Sequence, residues 1–203
     1  MTKFISWNVN GIRAIIRKGF LDFIEKYDPD ILCLQETKCT EDKFPWAGFA
    51  SLGYTTSVVG QAGYNGVAIV SRSPQSEVDT QPVSMPEAGA RSLAATIEGV
   101  RVINVYVPYG EEVGSTRFRA KLKWLDRLKD VLDAGGTMPR IASGDFNIAP
   151  DDRDVYDPRR RHGKLICSTP ERECFNVLLA NGAYVDALRA VTDKGGLYSW
   201  WSY

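Results

Sequence analysis

The sequence predicts an α/β protein, a sheet with helices packed on it. Two short apolar runs, Lys3 to Val9 and Ile31 to Gln35, flank a stretch whose apolar residues recur at helical spacing. Strand-length runs then come in pairs separated by turn residues. A long amphipathic segment from Phe118 to Leu132 follows, and after it another short apolar run. No repeat, low-complexity tract or linker interrupts the chain, so residues 1–203 read as one domain.

Taken in order, the first strand carries Trp7 into the polar corner Asn8-Val9-Asn10-Gly11. Ile12, Ile15, Ile16, Phe20, Phe23 (or Ile24) and Tyr27 then predict a single helix stopped by Pro29. The run Ile31-Leu32-Cys33-Leu34-Gln35 predicts a buried strand ending in Glu36-Thr37-Lys38. Tyr54 to Val59 and Gly66 to Ser71 form a strand pair around a Gly- and Asn-containing turn. Arg91 to Ile97 and Val100 to Val107 form another around Glu98-Gly99. The helix with Phe118, Leu122, Leu125, Leu128 and Leu132 on one face ends at Gly135-Gly136 and leads to what reads as a central strand, ending in Ser143-Gly144-Asp145-Phe146-Asn147. Ser168-Thr169-Pro170-Glu171 is a capping-box pattern with proline in the first turn; it opens a last helix that Asn181-Gly182 terminates.

Composition narrows the function classes. Lysine plus arginine and aspartate plus glutamate each total 25, so overall positive charge does not hold this chain to nucleic acid. Phosphate binding has to be local. The cations from Arg117 to Lys129, and Arg159-Arg160-Arg161 with Lys164, read first as solvated faces. No apolar run reaches the roughly 20 residues of a membrane helix, so no membrane partner is expected. Cys33, Cys39, Cys167 and Cys174 lack metal spacing. With no export signal ahead of the first strand, they read as free thiols of a cytoplasmic protein.

Polar groups collect at four strand ends: Asn8 with Asn10, Glu36, Tyr106, and Asp145 with Asn147. Asp145 and Asn147 stand two apart, which in an extended chain turns both to one side. Alone, that segment reads more readily as an ordinary turn, since Asp and Asn are turn formers. Carboxylate and amide oxygens together suit Mg²⁺, with Mn²⁺ as an alternative, and the single histidine, His162, argues against zinc. A buried strand ending in Glu favours a ligand over a surface charge. Asn10 before Gly11 has an equal reading as a turn, and Tyr106 as a sheet aromatic.

The motifs Trp7-Asn8-Val9-Asn10-Gly11, Leu34-Gln35-Glu36-Thr37-Lys38, Tyr64-Asn65-Gly66-Val67-Ala68-Ile69, Asn104-Val105-Tyr106-Val107-Pro108 and Gly144-Asp145-Phe146-Asn147-Ile148 occur in this order. Pro170-Glu171-Arg172-Glu173 and Trp200-Trp201-Ser202-Tyr203 extend the pattern to almost the whole chain. Together they resemble the exonuclease III family of apurinic/apyrimidinic endonucleases, within the endonuclease/exonuclease/phosphatase superfamily. The resemblance implies a four-layer, deoxyribonuclease I-like sandwich of two mainly antiparallel sheets with helices outside.

Carried over residue by residue, the resemblance gives Glu36 the metal, with Asn8 at or near its shell and Asp145 and Asn147 in the same region. It makes Asp145 the activator of water, Asn147 its orienter and Tyr106 the catalytic phenol. Asn10, Lys38, Tyr109 and Trp200 become DNA contacts, Trp200 as part of a pocket for a sugar lacking its base. An indole at Trp200 also reads as core. The partner implied is double-stranded DNA with abasic sites or 3′ ends, cut by a monomer.

This chain departs from the family pattern in two places. Tyr109 stands where the family usually has an amide. The family's terminal Ser-Asp-His segment and the strand before it do not occur, so the expected fold lacks its C-terminal strands, and self-association and weak activity are expected of this chain. Competing readings are a catalytically impaired DNA-binding fragment, or a phosphodiesterase of the same fold acting on phospholipid or inositol phosphates.

Overall fold

A computed structural model describes residues 2–180 and 182–199. Strands β1 (Phe4–Asn8), β2 (Ile31–Gln35), β3 (Thr55–Val59) and β4 (Val67–Ser71) form one sheet in the order β1-β2-β4-β3. Strands β5 (Ser76–Asp79), β6 (Ser92–Ile97), β7 (Val100–Tyr106) and β8 (Arg140–Asp145) form a second in the order β5-β6-β7-β8. Each sheet holds one parallel pair, β1 with β2 and β7 with β8, and the remaining pairs are antiparallel.

Side-chain alternation explains the layering. On β2, Leu32 and Leu34 join Ile12, Phe20, Ile24 and Phe49 from helices α1 (Ile12–Ile16), α2 (Phe20–Tyr27) and α3 (Trp46–Ser51). Ile31 and Cys33 turn the other way and meet Leu93, Ala95, Ile97 and Val102 of the second sheet. The two sheets therefore pack face to face, with helices on the outer face of the first. Gln35 shares the inward parity of Ile31 and Cys33, and Asn104 shares that of Val102. These two fully buried amides meet: Gln35 Nε2 donates to Asn104 Oδ1 at 2.7 Å, and Asn104 Nδ2 donates to the carbonyls of Leu34 (2.9 Å) and Ala68 (2.8 Å). A buried polar pair is tolerated only when its groups are satisfied, so this link ties the register of one sheet to the other.

The chain packs as two compact units, residues 1–107 with 135–146, and residues 108–134 with 147–203. No single cut in the sequence separates them. The second unit carries α4 (Thr116–Asp133), α5 (Pro158–Arg161) and α6 (Thr169–Leu179). Ser115 caps α4 by accepting the Phe118 amide at 3.0 Å, and the expected capping box of Ser168 and Glu171 opens α6.

Several expectations change. The predicted single helix over residues 12–27 is two helices, because Gly19 adopts φ 87° and restarts the chain as a left-handed N-cap. β8 is an edge strand among the described residues rather than a central one, and Ile141 on it is exposed. β5 and α3 went unpredicted; β5 is the fully exposed run Ser-Glu-Val-Asp, with no apolar face to announce it. All four cysteines are free, and no helix among the described residues is long and apolar enough to cross a membrane.

Gly144 shows why the Ser-Gly corner precedes Asp145. A Cβ there, at φ 147°, would stand 1.9 Å from the Val105 carbonyl oxygen on β7. Gly144→Ala should therefore cost about 3 kcal/mol or more through clash and strain. Gly136→Ala, with open space around it, should leave stability almost unchanged, and thermal unfolding of the two variants checks the contrast.

Candidate active site

Because β1 runs parallel to β2 and β7 to β8, the C-terminal ends of each pair finish together. Asn8 pairs with Gln35 in register, and Tyr106 with Asp145. The polar residues expected at strand ends accordingly meet at one rim of the first unit. Asn8 Nδ2 donates to Glu36 Oε1 at 2.7 Å and to Asp145 Oδ2 at 2.8 Å. Lys38 Nζ lies 2.7 Å from Glu36 Oε2 and also reaches Asn10 Oδ1. Tyr106 and Glu36 are near enough to influence each other's protonation, and the Arg91 guanidinium lies over the Tyr106 ring at 4.5 Å.

Backbone ties hold the loops that carry these groups. The amides of Val9, Gly11 and Ile12 donate to the carbonyls of Gln35 (2.9 Å), Glu36 (2.7 Å) and Thr37 (3.0 Å). Thr37 and Lys38 donate in turn to Gly66 (3.1 Å) and Asn65 (2.9 Å), and Gly66 to Ala90 (2.9 Å). Asn10, Glu36, Lys38 and Asn65 all adopt positive φ, between 46° and 54°. Such backbone is costly for non-glycine residues and persists where surrounding bonds over-determine it.

The electrostatics assign protonation states to Glu36 and Tyr106. Burial alone would raise the Glu36 carboxyl, but hydrogen bonds from Asn8, Lys38 and Tyr106 outweigh it and hold the group below its ordinary value. Burial, and then the Glu36 charge beside it, push the Tyr106 phenol well above its ordinary range. At neutral pH the site therefore presents an ionised Glu36 and a protonated Tyr106 hydroxyl. The phenol serves as a donor, not as a phenolate.

The donor set fits a hard cation. Among the described residues no group of three or more His, Cys, Asp or Glu side chains converges. Mg²⁺, however, is commonly held by one or two carboxylates with waters and substrate phosphate completing its shell, and Glu36 and Asp145, joined through Asn8, could hold one. The Asn8 amide nitrogen faces both carboxylates while its oxygen accepts the Asn10 amide at 3.1 Å. In this arrangement it bridges the two carboxylates.

The other expected site residues are placed differently. β8 ends at Asp145 and Asn147 has φ 50°, so the extended alternation used to pair the two does not reach Asn147. Asn147 and Tyr109 belong to the second unit, where Tyr109 is exposed. Trp200 lies outside the described residues, and His162 is exposed just after α5. Sequence reasoning missed Arg91, whose signal was a lone cation heading a wholly buried strand. It also misplaced Lys121, expected on a solvated face of α4 and found fully buried.

A model of the endonuclease/exonuclease/phosphatase family matches residues 5–203. The chain belongs to this family. It is 35% identical over 205 residues to an exodeoxyribonuclease of Bacillus subtilis, covering 99% of this chain and 80% of that protein. It is 31% identical to the zebrafish (Danio rerio) DNA repair nuclease APEX1, covering 99% of this chain but only 66% of that one. Among solved structures, the 3′ phosphatase NExo from Neisseria, bound to a product DNA hairpin, superposes with TM-score 0.92 at 40% identity, over 100% of this chain and 79% of its own. An AP endonuclease of Archaeoglobus fulgidus gives TM-score 0.87 at 35% identity, over 94% and 74%. The expected deoxyribonuclease I-like α/β fold and the reading as a phosphodiester hydrolase both stand on this membership.

If Glu36 is the principal ligand, Glu36→Gln should weaken Mg²⁺ binding at least about tenfold, as loss of a charged ligand from a hard-cation site implies. Glu41→Gln, on an exposed single turn, should not change it. Calorimetry giving the two variants equal affinity would remove Glu36 from the metal site.

Proposed function

We propose that this chain is a Mg²⁺-dependent DNA-repair phosphodiesterase of the exodeoxyribonuclease and AP endonuclease type, cutting 5′ of abasic sites and trimming 3′ ends. The observation that carries the reading is the pair of carboxylates, Glu36 and Asp145, bridged by Asn8 with the Tyr106 hydroxyl alongside. Relatives named as exodeoxyribonuclease, DNA repair nuclease and AP endonuclease support DNA as the substrate.

Phosphodiester hydrolysis needs a positioned nucleophile, charge stabilisation on the phosphoryl oxygens and help for the leaving alkoxide. Asp145 takes the proton of the attacking water and later returns it towards the leaving oxygen. The protonated Tyr106 donates a hydrogen bond to a phosphoryl oxygen once substrate displaces it from Glu36. Asn8 keeps the two carboxylates in place. Glu36, with Asp145 beside it, would hold Mg²⁺, which when bound would supply Lewis-acid charge to the phosphate. The role of Asn147 in orienting water rests on the family resemblance alone.

Beside the rim, a cleft of about 310 Å³ is lined by Arg13, Arg17 and Lys38 with Gly11, Ala14 and Thr37. Its cations supply the local positive charge that a near-neutral chain needs to hold a phosphate backbone. Two Neisseria structures at 40% and 41% identity are named as a 3′ phosphatase and a 3′-5′ exonuclease. They support 3′-end processing as one of the two activities.

Timed reactions on an abasic duplex and on a duplex with a 3′-phosphate test the proposal. Wild type with Mg²⁺ should process both, and Asp145→Asn should lower the rate by about 10²–10⁴-fold while largely keeping DNA affinity, the scale of general acid–base catalysis. A loss below about tenfold would deny Asp145 that role. No turnover of either substrate with Mg²⁺ or Mn²⁺ would overturn the function itself.

A further inference from the structure

One buried ion pair lies outside the carboxylate cluster. Lys121 on α4 and Glu171 on α6 are both fully buried and paired. A buried charge is costly unless paired and hydrogen-bonded, and well-packed apolar residues usually serve stability as well or better. Stability alone is therefore a weak account of a lysine here. Its hydrogen bonds supply a better one. Besides Glu171, Lys121 Nζ donates to the carbonyl oxygens of Asn147 at 2.7 Å and Tyr109 at 3.2 Å.

Those two carbonyls sit on the segments by which the chain leaves β7 and β8. Tyr109 follows the end of β7 at Tyr106 by three residues, and Asn147 follows the end of β8 at Asp145 by two. Asn147 holds a positive φ of 50°, a conformation that needs outside support. The Ala149 amide adds a second tie to the same segment by donating to the Ile166 carbonyl at 2.7 Å. Glu171 is itself fixed: it accepts from the amides of Ile166 (3.1 Å) and Ser168 (3.2 Å) and from the Ser168 hydroxyl (2.6 Å). The capping box that starts α6 thus also anchors the ammonium.

We propose that Lys121 is a positioning residue for DNA cleavage: its ammonium fixes the backbone at Asn147 and Tyr109, and so sets where those side chains stand. The proposal rests on the function assigned above and on the site roles that the family resemblance gives Asn147 and Tyr109. Nothing in it requires Lys121 to touch substrate.

Lys121→Met alone leaves Glu171 buried without its cation, and unfolding would mask the effect. The double variant Lys121→Met/Glu171→Gln removes both charges together. Its thermal unfolding should stay cooperative. Amide exchange across residues 147–149 should become at least about tenfold faster, and kcat on the cleaved duplex should fall at least about tenfold with Kd for DNA within about threefold, since small misplacement of a reacting group costs up to about 10²-fold. A folded double variant with wild-type exchange and kcat would overturn the proposal. So would a double variant that cannot fold, because the pair would then act through global stability. If wild type cleaves neither duplex, the assigned function fails, while the exchange measurement still decides whether Lys121 fixes the segment.

Discussion

The rim depends on one amide group shared between two carboxylates. Glu36 follows a strand of the first sheet and Asp145 ends a strand of the second, and this amide is what joins them. Asn8 places its NH2 between them, donating to Glu36 at 2.7 Å and to Asp145 at 2.8 Å. Bonds to Lys38 and Tyr106 complete the surroundings of Glu36 and outweigh its burial. The result is a pair of carboxylates held in one place by neighbouring donors. This is electrostatic preorganisation.

The sheets are built to deliver that arrangement. In an antiparallel pair, neighbouring strands finish at opposite edges, so two C-terminal ends meet only where strands run parallel. Each sheet spends its single parallel pair at this place, β1 with β2 and β7 with β8. Below the rim, the buried amides of Gln35 and Asn104 cross the interface between the sheets. A shift of either sheet by one residue would strand these groups in an apolar layer at about 1–3 kcal/mol each. The geometry of the carboxylates is thereby inherited from the register of the core.

Much of this was readable from the chain. The run Ile31-Leu32-Cys33-Leu34-Gln35 is buried at every position, as its composition implied, and the capping box at Ser168 marked the start of α6 to the residue. Glu36, Tyr106 and Asp145 could be placed at one edge because each follows a run with strand periodicity. The failures have physical causes. Apolar spacing continued through Gly19, so the break between α1 and α2 was visible only in backbone conformation. β5 pairs through its backbone while all its residues are exposed, so no pattern announced it. Lys121 sat within a run of surface cations, and its burial depends on Glu171, fifty residues away in sequence. That the Asn8 amide nitrogen faces both carboxylates is a choice made by three-dimensional neighbours and not by spacing.

The most direct measurement is an anomalous difference map from crystals of the protein soaked in Mn²⁺, which takes the oxygen ligands that suit Mg²⁺. A peak within about 2.0–2.4 Å of a Glu36 carboxylate oxygen, a hard cation's bonding range, with Asp145 beside it, is the expected result. A well-occupied Mn²⁺ elsewhere, with the Asn8 bridge between Glu36 and Asp145 unchanged and no peak at the rim, would contradict the assignment of these carboxylates as the hydrolytic centre.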